Sequence, residues 1–222
     1  MNERVTVRDV SKTYRLGKLT VDALSGVSLS VGAGEFMAIA GPSGSGKTTL
    51  LNLVGCLDTP TAGEIEIDGE SVGALSAGRR ADLRARKLGF IFQTFNLIPV
   101  LTAYENVEYP LLLQRRRGDV AARVKAALEH VGLADRARHR PPELSGGQQQ
   151  RVAIARALVT EPALVLADEP TANLDSRTGH EIIELMRRVN RERGTTFVFS
   201  THDPRIMNAA GRVLEISDGQ LR

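Results

Sequence analysis

The sequence has a single cysteine and no long apolar run, and these two absences limit the classes of protein to which it can belong. With Cys56 as the one cysteine in 222 residues, the chain cannot form an internal disulfide, which fits a reducing compartment. Cys56 has apolar neighbours in the sequence, so a buried structural thiol is favoured over a reactive one. Nowhere do 18 apolar residues follow one another, so we expect any membrane role to come through a partner.

An excess of charge of one sign is also lacking. The chain has 29 basic and 26 acidic residues, and its net charge of +3 is too small to predict nucleic-acid binding by itself. We therefore expect no nucleic-acid partner. The one basic run, Arg115 to Arg117, is most simply a solvated loop. The first residues, Met1 to Arg4, do not lead into an apolar segment, so export by a signal peptide is not expected.

A glycine-rich segment, Gly41 to Thr48, is the most informative feature that is present. It reads Gly-Pro-Ser-Gly-Ser-Gly-Lys-Thr, follows the apolar run Phe36 to Ala40 and precedes a segment that can begin a helix. This context is typical of a phosphate-binding loop, because glycines let the backbone turn its N–H groups inward and the helix N-terminus adds positive charge. Lys47 can reach the phosphates, and the hydroxyl of Thr48 is placed to ligate Mg²⁺. An ordinary glycine loop before a helix is the alternative at this point. The candidate nucleotide-binding residues here are Gly41, Pro42, Ser43, Gly44, Ser45, Gly46, Lys47, Thr48 and Thr49.

Two adjacent carboxylates follow a second apolar run. Ala163 to Ala167 reads as a buried strand, and Asp168 and Glu169 come directly after it. Two carboxylates at the end of a buried strand are costly without a cation, and Mg²⁺ held by Thr48 and phosphate would supply one. Asp168 is therefore predicted on the metal side, and Glu169 is placed to polarise an attacking water. A structural acidic pair that caps the next turn is the alternative.

The pattern of apolar residues predicts an α/β fold. Val27 to Val31 and Glu64 to Asp68 alternate apolar and polar residues, as antiparallel strands do. Leu88 to Phe92 and Thr195 to Ser200 are more continuously apolar, as parallel strands are. The segment Ser176 to Arg193 is predicted as a helix capped by its first residue. Strands that alternate with helices, with polar residues at the strand ends, predict a doubly wound core.

From about residue 94 to Pro142 the sequence becomes helical in character. Thr102 and Glu105 have the spacing of a capping box, and a further helix is predicted from Gln149 to Thr160. Five of the aromatic residues fall between Phe90 and Tyr109. They form either a local core or a surface on which a partner docks, and the sequence leaves both interpretations open.

A pentapeptide in the second half of the chain links these features. Leu144 to Gln148 reads Leu-Ser-Gly-Gly-Gln, in which a hydroxyl, two glycines and a helix N-terminus form a second anion-binding end. By composition it is expected in roughly one chain in several thousand of this size. With the loop at Gly41 to Thr48 and the pair Asp168 and Glu169 in this order, the chain resembles the ATP-binding cassette (ABC) ATPase family over essentially its whole length.

The resemblance implies a specific α/β architecture. The family has a P-loop NTPase (RecA-like) core with a small antiparallel β subdomain and an inserted α-helical subdomain. Residues 1–222 would form one ABC ATPase domain. Within it, residues 1–93 and 161–222 would form the nucleotide-binding core with the β subdomain, and residues from about 94 to 160 the helical subdomain with the signature motif.

The same resemblance implies a role for each matching residue. Tyr14 resembles the residue that stacks on adenine, Asp175 lies in the D-loop, and His202 is the switch histidine that contacts the γ-phosphate. From the sequence alone, a lone tyrosine or histidine is more often structural. The implied catalytic set is Lys47, Gln93, Glu169 and His202, with Gln93 as the Q-loop glutamine. The implied metal set is Thr48, Gln93 and Asp168. Ser145, Gly146, Gly147, Gln148, Tyr14 and Asp175 join the phosphate loop as nucleotide-binding residues.

The resemblance also implies cofactors and partners. ATP and Mg²⁺ would lie between the phosphate loop of one copy and the signature motif of another in a head-to-tail dimer. Hydrolysis would drive a separate membrane permease that docks near Gln93–Tyr109, with the ATPase peripheral on the cytoplasmic face of the cell membrane. The segments Gln93 to Pro99, Tyr104 to Glu108 and Ala167 to Asp175 look like those of the bacterial group for macrolide export and lipoprotein release. Ala172 stands where that group commonly has glycine.

Two other functions fit part of the sequence. A soluble ABC ATPase that acts on nucleic acid or ribosomes usually carries two cassettes, long coiled coils or zinc-binding cysteines, which this chain does not show. A small-molecule kinase would use the same phosphate loop but would leave the signature motif, Glu169 and His202 unexplained.

Overall fold

The structure, a computed structural model, describes residues 3–17, 19–114 and 118–222. The predicted solvated loop at Arg115 to Arg117 lies outside the described residues. The strands are β1 (Glu3–Leu16), β2 (Leu19–Gly32), β3 (Phe36–Ala40), β4 (Ala62–Ile67), β5 (Glu70–Ser71), β6 (Leu88–Ile91), β7 (Leu164–Asp168), β8 (Thr196–Thr201), β9 (Arg212–Ser217) and β10 (Gln220–Leu221). The α-helices are α1 (Lys47–Val54), α2 (Ala77–Lys87), α3 (Ala103–Leu113), α4 (Val120–His130), α5 (Gly146–Leu158), α6 (Ser176–Arg193) and α7 (Pro204–Ala209). Short 3₁₀ helices cover Ala134–Arg136 and Pro141–Glu143.

A six-stranded sheet forms the centre of the molecule, in the order β10, β9, β3, β8, β7, β6. The strands from β9 to β6 are parallel, and β10 pairs antiparallel with β9 at one edge. Side chains alternate between two cores along each buried strand. In β3, Phe36 and Ala38 pack with the helices α3 to α6, whereas Met37 and Ile39 pack with α1 and the second sheet. The central sheet is therefore covered on both faces, as a parallel sheet requires.

The second sheet is antiparallel and has the order β2, β1, β4, β5. The predicted strands at Val27 to Val31 and Glu64 to Asp68 lie in β2 and β4, and their antiparallel pairing with β1 confirms the interpretation of the alternating pattern. Val5, Val7 and Ile65 turn their side chains into the core that this sheet shares with α1. The α/β fold with a small antiparallel sheet is confirmed.

Residues from 94 to 160 contain helices α3 to α5 and, among the described residues, no strand. The predicted capping box is present, because Thr102 Oγ1 accepts from the Glu105 N–H at 3.2 Å and the Glu105 carboxylate accepts from the Thr102 N–H at 2.7 Å. Helix α5 begins at Gly146 rather than at the predicted Gln149, because the hydroxyl of Ser145 caps its first turn.

The structure corrects one predicted cap and adds a helix. The residue that caps α6 is Asp175 rather than Ser176, because the Asp175 carboxylate accepts from the N–H groups of Arg177 and Thr178. Helix α2 was not predicted. Its one buried residue is Leu83, so it carries no apolar stripe that a periodicity search could find.

The structure also shows the burial of Cys56 and of the aromatic residues between Phe90 and Tyr109. Cys56 is 2% exposed, and its burial raises the pKa of the thiol to about 11, so the prediction of a structural cysteine is confirmed. Phe90 and Phe92 stack at 5.8 Å between ring centroids, whereas Tyr109 is exposed. Within the described part of the chain, no helix is long and apolar enough to cross a membrane.

A partly buried ion cluster ties the antiparallel sheet to helix α2. The carboxylate of Asp68, at the end of β4, accepts hydrogen bonds from Arg4 on β1 and from Lys87 at the end of α2, the latter at 2.6 Å. Burial alone would raise the pKa of Asp68, but the hydrogen bonds from these two cations lower it below its ordinary value. A carboxylate with a lowered pKa stabilises the fold above its unfolded pKa and loses that contribution as the pH falls through the lowered value.

The variant Asp68→Asn should therefore lower the free energy of unfolding by about 1–3 kcal/mol at about pH 7, because two cations lose a charged acceptor. The difference from the wild type should shrink as the pH falls below about 4, where the aspartate itself becomes protonated. Urea unfolding at both pH values measures this. As a control, Asp135→Asn on an exposed 3₁₀ turn should change stability by less than about 0.5 kcal/mol. Equal effects of the two substitutions would contradict the assignment.

Candidate nucleotide-binding site

The register of three parallel strands brings the predicted site residues to one edge of the central sheet. Strand β8 lies between β3 and β7, with Ala40 opposite Thr201 and Ser200 opposite Asp168. The loop that begins at Gly41 and the residues that follow β7 and β8 therefore emerge side by side. The carboxyl ends of parallel strands are where such sheets bind ligands.

The glycine loop follows β3 and is closely packed against the rest of the fold. Gly46 has φ of 105°, and a Cβ at this position would lie 2.6 Å from the backbone oxygen of Ala23. Gly44 has φ of 79°, and a Cβ there would meet nothing within 4 Å. The loop is also held by the Gly219 N–H, which donates to the Ser45 carbonyl at 3.1 Å. Only glycine therefore fits at position 46 in this packing, whereas position 44 has room for a side chain.

The charged and hydroxyl groups of the loop fit a phosphate and a hard cation. Lys47 is 7% exposed, and its ammonium donates to the carbonyls of Gly41 and Pro42 at 2.7 and 2.8 Å. The hydroxyl of Thr48 lies 3.2 and 3.3 Å from the two carboxylate oxygens of Asp168. A hydroxyl and a carboxylate are oxygen donors of the kind that Mg²⁺ prefers, and Ser45 Oγ is a buried polar atom with no partner. The residues present therefore fit a magnesium–nucleotide complex.

The predicted catalytic pair is in direct contact. His202 Nδ1 lies 2.7 Å from Glu169 Oε1, and the Thr201 hydroxyl lies 3.4 Å from Glu169 Oε2. The Glu169 side chain is 14% exposed, whereas that of His202 is 69% exposed. Glu169 has φ of 46°, a left-handed conformation that costs energy in a residue with a Cβ. The Glu169 N–H donates to the Ser200 carbonyl at 2.9 Å, which holds this conformation. The carboxylate then faces Thr201 and His202.

The signature residues form the N-terminus of α5. The Ser145 hydroxyl accepts from the Gln148 N–H at 3.3 Å, and the Gln148 side chain accepts from the Ser145 N–H at 2.9 Å. A Cβ on Gly147 would lie 2.4 Å from a methyl group of Thr178 on α6. Among the residues that the structure describes, no hydrogen bond connects the segment from Ser145 to Gln148 to the phosphate loop of the same chain.

Three predicted residues lie at the margins of this site. The Tyr14 hydroxyl donates to Asp58 at 3.0 Å, and the ammonium of Lys12 lies 4.8 Å from the centre of the Tyr14 ring. Burial first, and then the bond to Asp58, raises the pKa of Tyr14. The backbone oxygen of Gln93 accepts from Asn173 at 2.9 Å. Asp175 caps α6, and its hydrogen bonds in that first turn lower the pKa of its carboxyl. Contact of Tyr14, Gln93 or Asp175 with nucleotide or metal stays a prediction.

Several polar residues around the site were missed from the sequence. Gln150 is fully buried and donates to the Pro170 carbonyl at 2.7 Å, which connects α5 to the segment after Glu169. Thr171 donates to the Asp203 carboxylate at 2.6 Å. The dipeptide Asp203–Pro204 is a typical helix start, so the cap of α7 could have been predicted, but its contact with Thr171 could not.

Comparison with known proteins assigns the family. A sequence model described as ABC transporter matches residues 24–172. The chain belongs to this family. It is 50% identical over 214 residues to the lipoprotein-releasing system ATP-binding protein LolD of Bordetella pertussis, an alignment that covers 96% of this chain and 93% of LolD. It is also 49% identical to the macrolide export ATP-binding/permease protein MacB of Syntrophobacter fumaroxidans, over 97% of this chain but 30% of MacB. The chain thus spans about a third of MacB and nearly all of LolD.

Solved structures agree with this assignment. The post-hydrolysis dimer of the ATP-binding cassette MJ0796 bound to ADP and Pi has a TM-score of 0.92 and 45% identity, and it covers 98% of this chain and 96% of that one. A second dimeric structure of MJ0796, described as a bacterial ABC transporter cassette, has a TM-score of 0.91 and 46% identity over the same shares. The chain is accordingly an ATP-binding cassette ATPase, and the predicted family, fold and ATP hydrolysis are confirmed.

Substitution of Gly46 by alanine should be far more harmful than the same change at Gly44. Gly46→Ala places a methyl group against the Ala23 backbone, so the free energy of unfolding should fall by about 2–5 kcal/mol from strain and overpacking, and nucleotide binding should be lost. Gly44→Ala has open space and should cost only about 1–2 kcal/mol for its left-handed backbone. Thermal unfolding without nucleotide compares the two variants. Equal losses of unfolding free energy in the two variants would show that the close approach of Gly46 to Ala23 does not set the shape of the loop.

Proposed function

We propose that this ABC ATPase hydrolyses ATP at the edge of its central sheet and powers a separate membrane permease. The observation that carries the proposal is the contact at 2.7 Å between His202 and Glu169, beside the Thr48–Asp168 pair and the glycine loop. Together these groups supply a phosphate cradle, oxygen donors for Mg²⁺ and a carboxylate that can accept a proton. Mg²⁺, when bound, would neutralise the charge that develops on the phosphate oxygens.

Glu169 is proposed as the group that orients and deprotonates water. The water oxygen attacks the γ-phosphorus, the bond from that phosphorus to the β–γ bridging oxygen breaks, and its electron pair leaves with ADP. The proton of the attacking water passes to the Glu169 carboxylate and then to solvent, so the products are ADP and phosphate. His202 holds one carboxylate oxygen at 2.7 Å, and its exposed ring is proposed to contact the γ-phosphate. Lys47 is proposed to leave its two carbonyl partners for phosphate oxygens.

The second half of each ATP site is proposed to come from another copy of this chain. Helix α5 begins, after its Ser145 cap, with Gly146 and Gly147, whose N–H groups have no partner among the described hydrogen bonds, and such a helix N-terminus is a good anion-binding end. The absence, in the part of the chain that the structure describes, of a hydrogen bond from this end to the same chain's phosphate loop supports assembly with a second copy. The dimeric structures of the similar cassette MJ0796 support a dimer as the working form. A head-to-tail arrangement would give two equivalent sites.

The permease is proposed to dock in an apolar groove next to Gln93–Tyr109. A cavity of about 500 Å³ lies between α2, β6, α3 and α5, and its walls include Phe90, Phe92 and Leu113. Leu113 is 60% exposed, and its neighbour Leu112 is 57% exposed. Apolar surface of this kind marks sites for protein partners. Arg156, at the floor of the groove, donates to the carbonyls of Phe95 and Asn96, so the groove is tied to the segment that follows Gln93.

The proposed partner class follows from the relatives. LolD is named as part of a lipoprotein-releasing system and MacB as a macrolide export protein, so we propose that this chain serves a bacterial export or extrusion permease of that group. It would then lie at the cytoplasmic face of the membrane, held there by the permease. Ala172 differs from the glycine common in the group, and it lies in the turn between Glu169 and α6.

The variant Glu169→Gln tests the proposed water activation. ATP binding should be kept and a closed dimer should accumulate, while turnover should fall by about 10²–10⁴-fold because the amide cannot accept the proton. Steady-state phosphate release and size-exclusion chromatography with ATP measure the two effects. As a control, Glu184→Gln on the outer face of α6 should leave both unchanged. Near-normal hydrolysis by Glu169→Gln would remove Glu169 from this role.

The variant Leu113→Asp tests the docking groove. A charge at this exposed apolar position should abolish co-purification with the membrane permease, because a desolvated carboxylate has no partner there. Basal ATP hydrolysis by the isolated protein should stay within about twofold, since the groove is separate from the phosphate loop. Ala121→Asp, which adds the same charge to the exposed first turn of α4, is the control and should co-purify normally. Normal co-purification of Leu113→Asp would contradict the proposed docking surface.

A further inference from the structure

We propose that Asp203 is a positioning residue for the catalytic pair, because its carboxylate fixes the segment that carries His202 to the segment that carries Glu169. This inference rests on the proposed roles of Glu169 and His202 and adds a residue that does not itself touch the nucleotide. His202 is 69% exposed, so packing does little to hold its ring. Apart from the contact with Glu169, the position of the ring depends on the backbone around it.

The first contact of Asp203 reaches across to the segment after β7. Asp203 Oδ2 accepts from the Thr171 hydroxyl at 2.6 Å, and Thr171 is 1% exposed, two residues beyond Glu169. On the other side, the Asp203 N–H donates to the Thr201 hydroxyl at 2.9 Å, and that hydroxyl also faces Glu169 Oε2 at 3.4 Å. The Thr171–Asp203 hydrogen bond is therefore a second connection, beside the His202–Glu169 contact, between the segments that follow β7 and β8.

The second contact of Asp203 reaches helix α6 through Arg205. The guanidinium of Arg205 donates to both Asp203 oxygens at 2.7 to 3.0 Å, and its remaining nitrogen donates to the Ser176 carbonyl at 2.9 Å. A Cβ on Gly179, one turn into α6, would lie 2.7 Å from Arg205 Nη1. The guanidinium thus lies flat against α6 at a place kept open by glycine. Thr171 and Ser176 mark the two ends of the turn that contains Asp175, so Asp203 and Arg205 clamp that turn from both ends.

The charge of Asp203 is itself well supported. Its side chain is 12% exposed. Burial alone would raise its pKa, but hydrogen bonds from Arg205 and Thr171 lower the pKa to about 2. The carboxylate is therefore ionised at any pH at which the enzyme would be assayed, and the hydrogen bonds from Thr171 and Arg205 keep it in one orientation. A neutral side chain of the same shape would weaken the link to Arg205 without removing the cap of α7.

The test uses Asp203→Asn in the full chain, because asparagine caps a helix as well as aspartate does. We expect kcat for ATP hydrolysis to fall by about 10- to 100-fold through misplacement of the pair, with KM for ATP within about twofold, because the phosphate loop is untouched. Asp119→Asn, which alters the cap of α4 in the same way, is the matched control and should keep wild-type kcat. Wild-type kcat in Asp203→Asn would overturn the inference.

A second comparison separates positioning from general damage. In a His202→Ala background, Asp203→Asn should lower kcat by less than about twofold, because residues that act through one group are not additive. An unchanged 10- to 100-fold loss in that background would overturn the inference. Should His202→Ala alone keep wild-type kcat, the proposed role of His202 fails, and the inference falls with it. Should His202→Ala lose activity while Asp203→Asn does not, the positioning role alone fails.

A second variant covers the case in which Asp203→Asn does not fold. Thr171→Val keeps the shape of the side chain but removes the donor to Asp203, and Thr171→Ser restores it. We expect a loss of kcat in the first and recovery in the second to within about threefold of the wild type. Equal activity of the valine and serine variants would overturn the inference.

Discussion

The structure depends on the register of three parallel strands, β3, β8 and β7. Because Ala40, Thr201 and Asp168 end these strands within one residue of the same level, the glycine loop, the histidine and the two carboxylates emerge at one edge without any long loop to position them. The strands themselves are buried on both faces, so the site lies at the end of the packed core. Catalytic geometry here is a property of sheet packing, and the polar residues refine it.

The groups proposed to bind ATP have intrachain partners or, at the start of α5, no anionic ligand among the described hydrogen bonds. Lys47 is bound to carbonyls of its own loop, the Thr48 hydroxyl is bound to Asp168, and the N-terminus of α5 has no anionic ligand from the same chain among the described hydrogen bonds. We propose that Lys47 and Thr48 exchange these intrachain partners for nucleotide and metal. In the proposed two-copy site, ATP binding would be coupled to association, because the ligand would supply the negative charge that two positive ends otherwise lack.

The strands and the phosphate loop could be predicted from the sequence because both have local patterns, namely apolar runs and glycines at required positions. The sequence did not predict α2, whose single buried leucine gives no periodic pattern, or the correct cap of α6, where Asp175 and Ser176 are both good capping residues. The contact of Asp203 with Thr171 joins residues 32 positions apart, and the local chemistry of either residue does not specify the other. Long-range polar contacts of this kind depend on the packing of several elements at once.

The buried thiol has a practical consequence. Cys56 is held protonated by its apolar surroundings and is closed to solvent, so reagents that need an exposed thiolate will not reach it in the folded protein. The natural chain can therefore be treated as a cysteine-free background. Single cysteines introduced at exposed positions of α3 or α4 would accept spectroscopic probes without prior removal of Cys56.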